Sequence, residues 1–150
     1  MSQSLISRVM STRAGWAPLA LRLPVGIIFA AHGAQKLFGW FGGYGLTGTA
    51  QWMESIGLAP GVLMVLLAGG AEFFGGLALI VGLLVRPAAL ALSVAMLVAI
   101  FTVHISHGLF MSNNGYEFAL ALLAASVSLL ISGGGSASVD AAMAGDEGSR

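Results

Sequence analysis

The chain has no cysteine and very little charge. Without cysteine it carries no disulfide framework, no CxxC redox pair, no iron–sulfur cluster on its own thiolates and no thioether-linked haem. Any sulfur-borne electron carrier must therefore belong to another protein. Charged residues are 8% of the 150, six basic and six acidic, against roughly 25% in an average soluble domain. With 57% hydrophobic residues and a mean hydropathy of +0.93, the chain cannot cover a globule with solvated side chains. It reads as an integral membrane protein whose first partner is the lipid bilayer. The net charge is zero, which offers nucleic acid nothing to hold.

Four apolar segments are suited to cross a hydrocarbon core about 30 Å thick, which takes roughly 20 helical residues each. They fall at about 19–38, 61–85, 87–107 and 116–132. The expected fold is an all-α membrane protein, a four-transmembrane-helix bundle over 19–132. Residues 1–18 form an N-terminal segment, and residues 133–150 read as a disordered tail, being small and polar. The first apolar run is long for a signal-peptide core and no small-x-small cleavage site follows it, so it reads as a retained span. Pro24 lies near the start of the first span and Pro87 near the start of the third, where a missing N–H costs least. Arg86-Pro87 is the expected turn between spans two and three. Arg8, Arg13, Arg22 and Arg86 share one side of this topology and only Lys36 falls on the other. The positive-inside rule then makes both termini cytoplasmic.

The first outer loop, about 39–59, holds Trp40, Phe41, Tyr44 and Trp52, rings suited to a membrane–water interface. Thr47 or Thr49 is placed to cap a short interfacial helix through Ile56, with Trp52, Met53 and Ile56 inward. That helix is either a lid over the bundle or an aromatic belt and nothing more.

The ionisable groups inside the spans gather in the middle and outer half. His32, Gln35 and Lys36 stand at i, i+3 and i+4 on span one. His104 and His107 stand at i and i+3 at the outer end of span three, and Tyr116 and Glu117 open span four. Glu72 lies about 11 residues into span two, roughly 16 Å from its outer start. It shares a face with Ala68, Gly69, Gly75, Gly76 and Leu79. Gly69, Gly75, Gly76 and Gly82 read as helix-packing residues of the small-xxx-small kind. An acid at mid-membrane costs roughly 2.5–3.5 kcal/mol on insertion scales, so it is a functional site by default, the alternative being an ion pair that locks packing. Lys36 either snorkels to the outer head groups or pairs with Glu72 or Glu117. No HExxH or ExxH pair occurs and His104-x-x-His107 is a weak match, so no metal site is assigned. A carboxylate and a histidine at the mouth of an apolar cavity can instead exchange protons with a lipophilic acceptor such as a quinone. Glu72 and His32 are the expected proton-active pair. Gln35, Lys36, His104, His107, Tyr116 and Glu117 are the expected ligand-binding set.

Three stretches in order, His32-Gly-Ala-Gln-Lys-Leu-Phe-Gly39, Gly69-Gly-Ala-Glu-Phe-Phe-Gly-Gly-Leu-Ala-Leu-Ile-Val-Gly82 and Arg86-Pro-Ala-Ala89, resemble the DoxX family of small bacterial membrane proteins. The resemblance runs from about residue 21 to residue 132. It implies a four-helix membrane topology, a bacterial inner-membrane location and membership of an oxidoreductase complex. His32, Gln35, Lys36 and Glu72 stand on its motifs, while His104, His107, Tyr116 and Glu117 rest on spacing alone. The leading reading is an oxidoreductase subunit without a redox centre of its own. It has an outward-facing polar pocket for a quinone or another small lipophilic ligand, and partners among membrane or peripheral oxidoreductase subunits. A small-solute transporter and a structural or assembly subunit are the rivals. Against transport, the inner half lacks a polar path, although a homo-oligomer could create one at its interface.

Overall fold

A computed structural model of the chain describes residues 5–147, in which all regular structure is helical. A short α1 (Leu5–Met10) precedes α2 (Ala17–Phe38). A loop then leads to α3 (Gly45–Ser55), which is followed by α4 (Gly61–Val81), α5 (Val85–Ala99), α6 (Glu117–Ser132) and α7 (Val139–Glu147). The helical path of α5 continues to His107 through a π turn, Ile100–His104, and a 3-10 turn, Ile105–His107. Among the described residues, three helices are long and apolar enough to cross a membrane: α2, α4 and Val85–His107. At 16 residues α6 is shorter but apolar. The protein is an all-helical membrane bundle, and its surface shows why. Leu66, Leu67 and Phe74 on α4, Val94 and Leu97 on α5 and Phe101 on the π turn point outward and are exposed, leaving an apolar perimeter that water would not tolerate.

Glycine sets the closest helix contact. Gly26 on α2 faces Gly76 on α4, Gly33 lies against Phe73 of α4 and Gly69 against Lys36 and Leu37 of α2; the two glycines of each helix are seven residues apart and so on one side of it. A β-carbon on Gly26 would stand 2.8 Å from the Gly76 carbonyl oxygen, and one on Gly33 would collide with the Phe73 backbone. Gly75 turns to α5 instead, 3.1 Å from Leu92 by the same measure. The backbones therefore approach as small residues permit. Around this seam Phe29, Leu79, Val85, Leu92 and Leu129 are fully buried.

The turn between α4 and α5 differs from expectation. It is Gly82 to Leu84, and Arg86 and Pro87 already lie in the first turn of α5. The cause is Gly82, whose φ of 76° ends α4 while the Leu83 N–H returns to the Ala78 carbonyl at 3.0 Å. Pro18 occupies the helix start expected of Pro24, which lies inside α2. The α3 cap also differs: the helix begins at Gly45 behind Tyr44, with no side-chain cap.

The tail is corrected most. Residues 133–147 of the segment expected to be disordered fold back over the end of the bundle that carries α1 and the start of α2, and 148–150 lie outside the described residues. Buried Arg22 donates to the Gly134 and Ala137 carbonyls at 2.7 and 2.9 Å. Asp140, 1% exposed, accepts from the Leu84 and Val85 N–H groups at 2.7 and 2.9 Å, satisfying free donors at the start of α5. Arg86 donates to Leu130 and Ile131 carbonyls at the end of α6 and to Ser11 before α2. One buried cation, Arg22, and one buried acid, Asp140, thus hold a tail whose composition alone would leave it loose.

Candidate functional site

Opposite the termini, α2 and α4 bring one cation and one acid together. Lys36 Nζ lies 2.5 Å from Glu72 Oε2. The Glu72 side chain is 6% exposed and the Lys36 side chain 24%. Gly69 makes the approach possible, because its face lies against Lys36: a β-carbon there would stand 3.2 Å from Lys36 Cβ. The close-packing glycines therefore also seat the ion pair. Burying both charges is costly, and the attraction between them offsets that cost only while both are present.

The pair faces a cavity of about 410 Å³. Phe29, His32 and Lys36 come from one face of α2, and Ala68 and Glu72 from α4. Met96 and Ala95 on α5 and Phe118, Ala119 and Leu122 on α6 make the apolar wall, with Trp52 and Met53 of α3 over it. Exposed Val98, Thr102 and Phe118 stand on the rim, partway along helices whose outer faces are apolar.

His32 is exposed at this rim, with its ring 6.1 Å from that of Phe118. It shares the cavity with Glu72, yet the direct partner of the carboxylate is Lys36. His104 also lines the cavity; its Nδ1 lies 2.8 Å from the Asn114 carbonyl. A carbonyl only accepts, so Nδ1 is the donor in this contact.

The other expected ligands do not join the cavity. Gln35 lines a second cavity of about 420 Å³ under the α2–α3 loop, with Lys36, Tyr44, Thr49 and Trp52. His107 Nδ1 contacts the Val103 carbonyl at 3.0 Å. Glu117 accepts from the Met111 N–H at 2.7 Å, and Tyr116 packs on the core. The π turn separates the two histidines. It adds a residue to the turn, places consecutive Thr102, Val103 and His104 on the cavity, and carries His107 away. Such turns concentrate at functional sites and leave no simple sequence mark. Phe29 was findable, standing three residues before His32 on the same face. Of the expected packing glycines, Gly69, Gly75 and Gly76 pack helices, whereas Gly82 ends one. Of the expected lid residues, Met53 is buried and Trp52 reaches the cavity, while Ile56 is exposed.

The DoxX family profile matches residues 17–105, which span α2 through the π turn. The chain belongs to the DoxX family. A relative from Bacillus subtilis (strain 168), named "Putative oxidoreductase CatD", is 35% identical over 115 residues, covering 77% of this chain and 78% of that protein. No solved structure matches the chain. Every cavity residue on α2, α3 and α4, and those of α5 through the π turn, lies inside the DoxX match; those of α6 lie beyond it. Among the described residues no three His, Asp or Glu side chains cluster as metal ligands would.

Proposed function

We propose that this DoxX protein is the membrane subunit of an oxidoreductase assembly, and that its main cavity receives the head group of a quinone-type lipophilic ligand. The observation that carries this reading is the Lys36–Glu72 pair, set in the wall of a cavity that is otherwise mostly apolar. The oxidoreductase name of the Bacillus subtilis relative supports it. A quinone would supply a two-electron acceptor whose reduction consumes protons. Its carbonyl oxygens accept hydrogen bonds only. The Lys36 ammonium has three donors, and Glu72 engages it through a single oxygen, so donors remain for such an oxygen. Glu72 holds the ammonium in place and is the proton store beside it. His32 at the rim stands where it can hand a proton to the bound ligand, and His104 Nε2 suits a ligand hydroxyl. Electrons come from a reducing partner protein, because the chain has no thiolate of its own.

The geometry favours a pocket over a transport path. Beyond Phe29 and Leu122 the bundle is packed with apolar side chains, and its far end is closed by Arg22 and the tail. The glycine seam is filled by the chain's own α2 and α4, which weakens an assembly role built on those glycines. Arg8, Arg13, Arg22 and Arg86 at the termini end favour placing it on the cytoplasmic side of a bacterial inner membrane, with the cavity toward the outer side.

The test is purification of the intact complex in mild detergent, with mass spectrometry for bound quinone and titration of a short-chain quinone. Glu72→Gln, which releases the ammonium, and His32→Ala are compared with the native chain. Losing one charged hydrogen bond is worth about 1.5–3 kcal/mol, or roughly a tenfold to hundredfold weaker affinity. Unchanged quinone binding and unchanged turnover in both variants would overturn the reading.

A further inference from the structure

We propose that the second cavity is an aqueous antechamber, giving water and protons a route to the Lys36–Glu72 pair separate from the apolar route into the main cavity. The two cavities share Lys36 and Trp52. Their other walls differ in chemistry. The main cavity is walled mostly by apolar side chains, among them Phe29, Met53, Met96, Phe118 and Leu122, with His32, Thr102, His104 and Asn114 as the polar exceptions besides the ion pair. The second is bounded by the Gln35 amide, the Tyr44 and Thr49 hydroxyls, and by Gly42, Gly43 and Gly48, which expose backbone in place of side chains. Such a surface offers donors and acceptors to water. At Gly43 the backbone comes so close to Gln35 that a β-carbon would collide with it.

The ion pair is asymmetric in the matching sense. Lys36 keeps 24% of its side chain exposed while Glu72 keeps 6%. Lys36 thus reaches from the wet chamber to an acid that solvent barely touches. Trp52 stands between the chambers as a common wall, with Met53 beside it turned inward and buried. A lipophilic ligand enters at the rim formed by Val98, Thr102 and Phe118, and protons enter past Gln35 and Thr49. Two reactants with opposite solvation needs then meet at one pair without sharing a path. This inference rests on reading Lys36–Glu72 as the working pair, but its test concerns access alone, so either can fail without the other.

The native chain has no cysteine, so single-cysteine variants of the full chain label without background. Thr49→Cys and Gln35→Cys report the second cavity and Ala95→Cys the main one, in detergent-solubilised protein. The probes are a negatively charged methanethiosulfonate and a neutral lipophilic maleimide. Carrying a charge into apolar surroundings should slow the charged reagent at Ala95→Cys on the order of a hundredfold relative to Thr49→Cys. The maleimide should reach both. Adding Trp52→Ala should bring the charged-reagent rates together, and retention of these labelling rates in the Glu72→Gln background would support an access role independent of ligand binding. The inference is overturned if the charged reagent fails at both Thr49→Cys and Gln35→Cys, or labels Ala95→Cys as fast as Thr49→Cys with Trp52 in place.

Discussion

Replacing Lys36 by methionine removes the partner of Glu72 while keeping much of the side-chain volume. The carboxylate left behind is 6% exposed, and breaking a buried pair from one side costs about 3–5 kcal/mol. The expected loss for Lys36→Met is therefore about 3–5 kcal/mol. Glu72→Met is a different perturbation. It leaves an ammonium that is already 24% exposed and stands against the polar second cavity. A flexible stem can carry that charge to water, so about 1 kcal/mol is expected, the net worth of one hydrogen bond. The double variant leaves no buried charge, and such replacements are often neutral.

The assay is SDS-titrated unfolding of the full chain in mixed micelles, followed by far-ultraviolet circular dichroism across the four-member cycle. The expected signature is a strong asymmetry between the singles and a double variant more stable than Lys36→Met alone. Equal singles would show that exposure does not govern the cost. An additive double would show that Lys36 and Glu72 do not interact in the membrane-like state.

What could be read from the sequence divides along physical lines. Membrane helices announce themselves by apolar length, and an acid among glycines marks itself as costly wherever it sits. Hence α2, α4 and Glu72 were legible, and Lys36 was identified as a candidate partner among two acids. The choice between Glu72 and Glu117 needed the helix seam, because it depends on Gly69 admitting the Lys36 stem. The separation of His104 from His107 was not legible, since regular helical spacing puts them on one face and only the π turn breaks that register. Nor was the division of Gln35 from His32 between two cavities, which depends on where Trp52 of α3 stands. The tail misled for a related reason. Its own residues cannot bury enough apolar surface to order it, and the groups that order it, Arg22 and the free N–H groups of α5, lie more than fifty residues away in the chain.

Two adjacent glycines test the helix seam. Gly69→Ala would bring a β-carbon 3.1 Å from Leu37, whereas Gly70→Ala meets nothing within 4 Å. Removing a helical glycine is otherwise worth roughly 0.5–1 kcal/mol of stabilisation. The Gly70 variant should therefore gain stability in the same unfolding assay and the Gly69 variant should not. At Gly33, where a β-carbon meets the Phe73 backbone, overpacking should cost about 1–3 kcal/mol. A Gly33→Ala chain as stable as native would contradict the seam. The tail gives the sharpest test, because its ordering rests on a few buried polar contacts. Asp140→Ala removes the acceptor of the Leu84 and Val85 N–H groups and should cost about 1–3 kcal/mol. Deleting residues 133–150 removes the Gly134 and Ala137 carbonyls as well, and with them both acceptors of a guanidinium that is 1% exposed. That deletion should cost more than Asp140→Ala, and Arg22→Met should recover part of the loss in the truncated chain while being harmful in the full one. The reversal of sign is what separates a buried charge from a merely helpful tail. If the truncated chain unfolds at the native SDS concentration, Arg22 finds water without the tail, and the tail does not seal that end of the bundle.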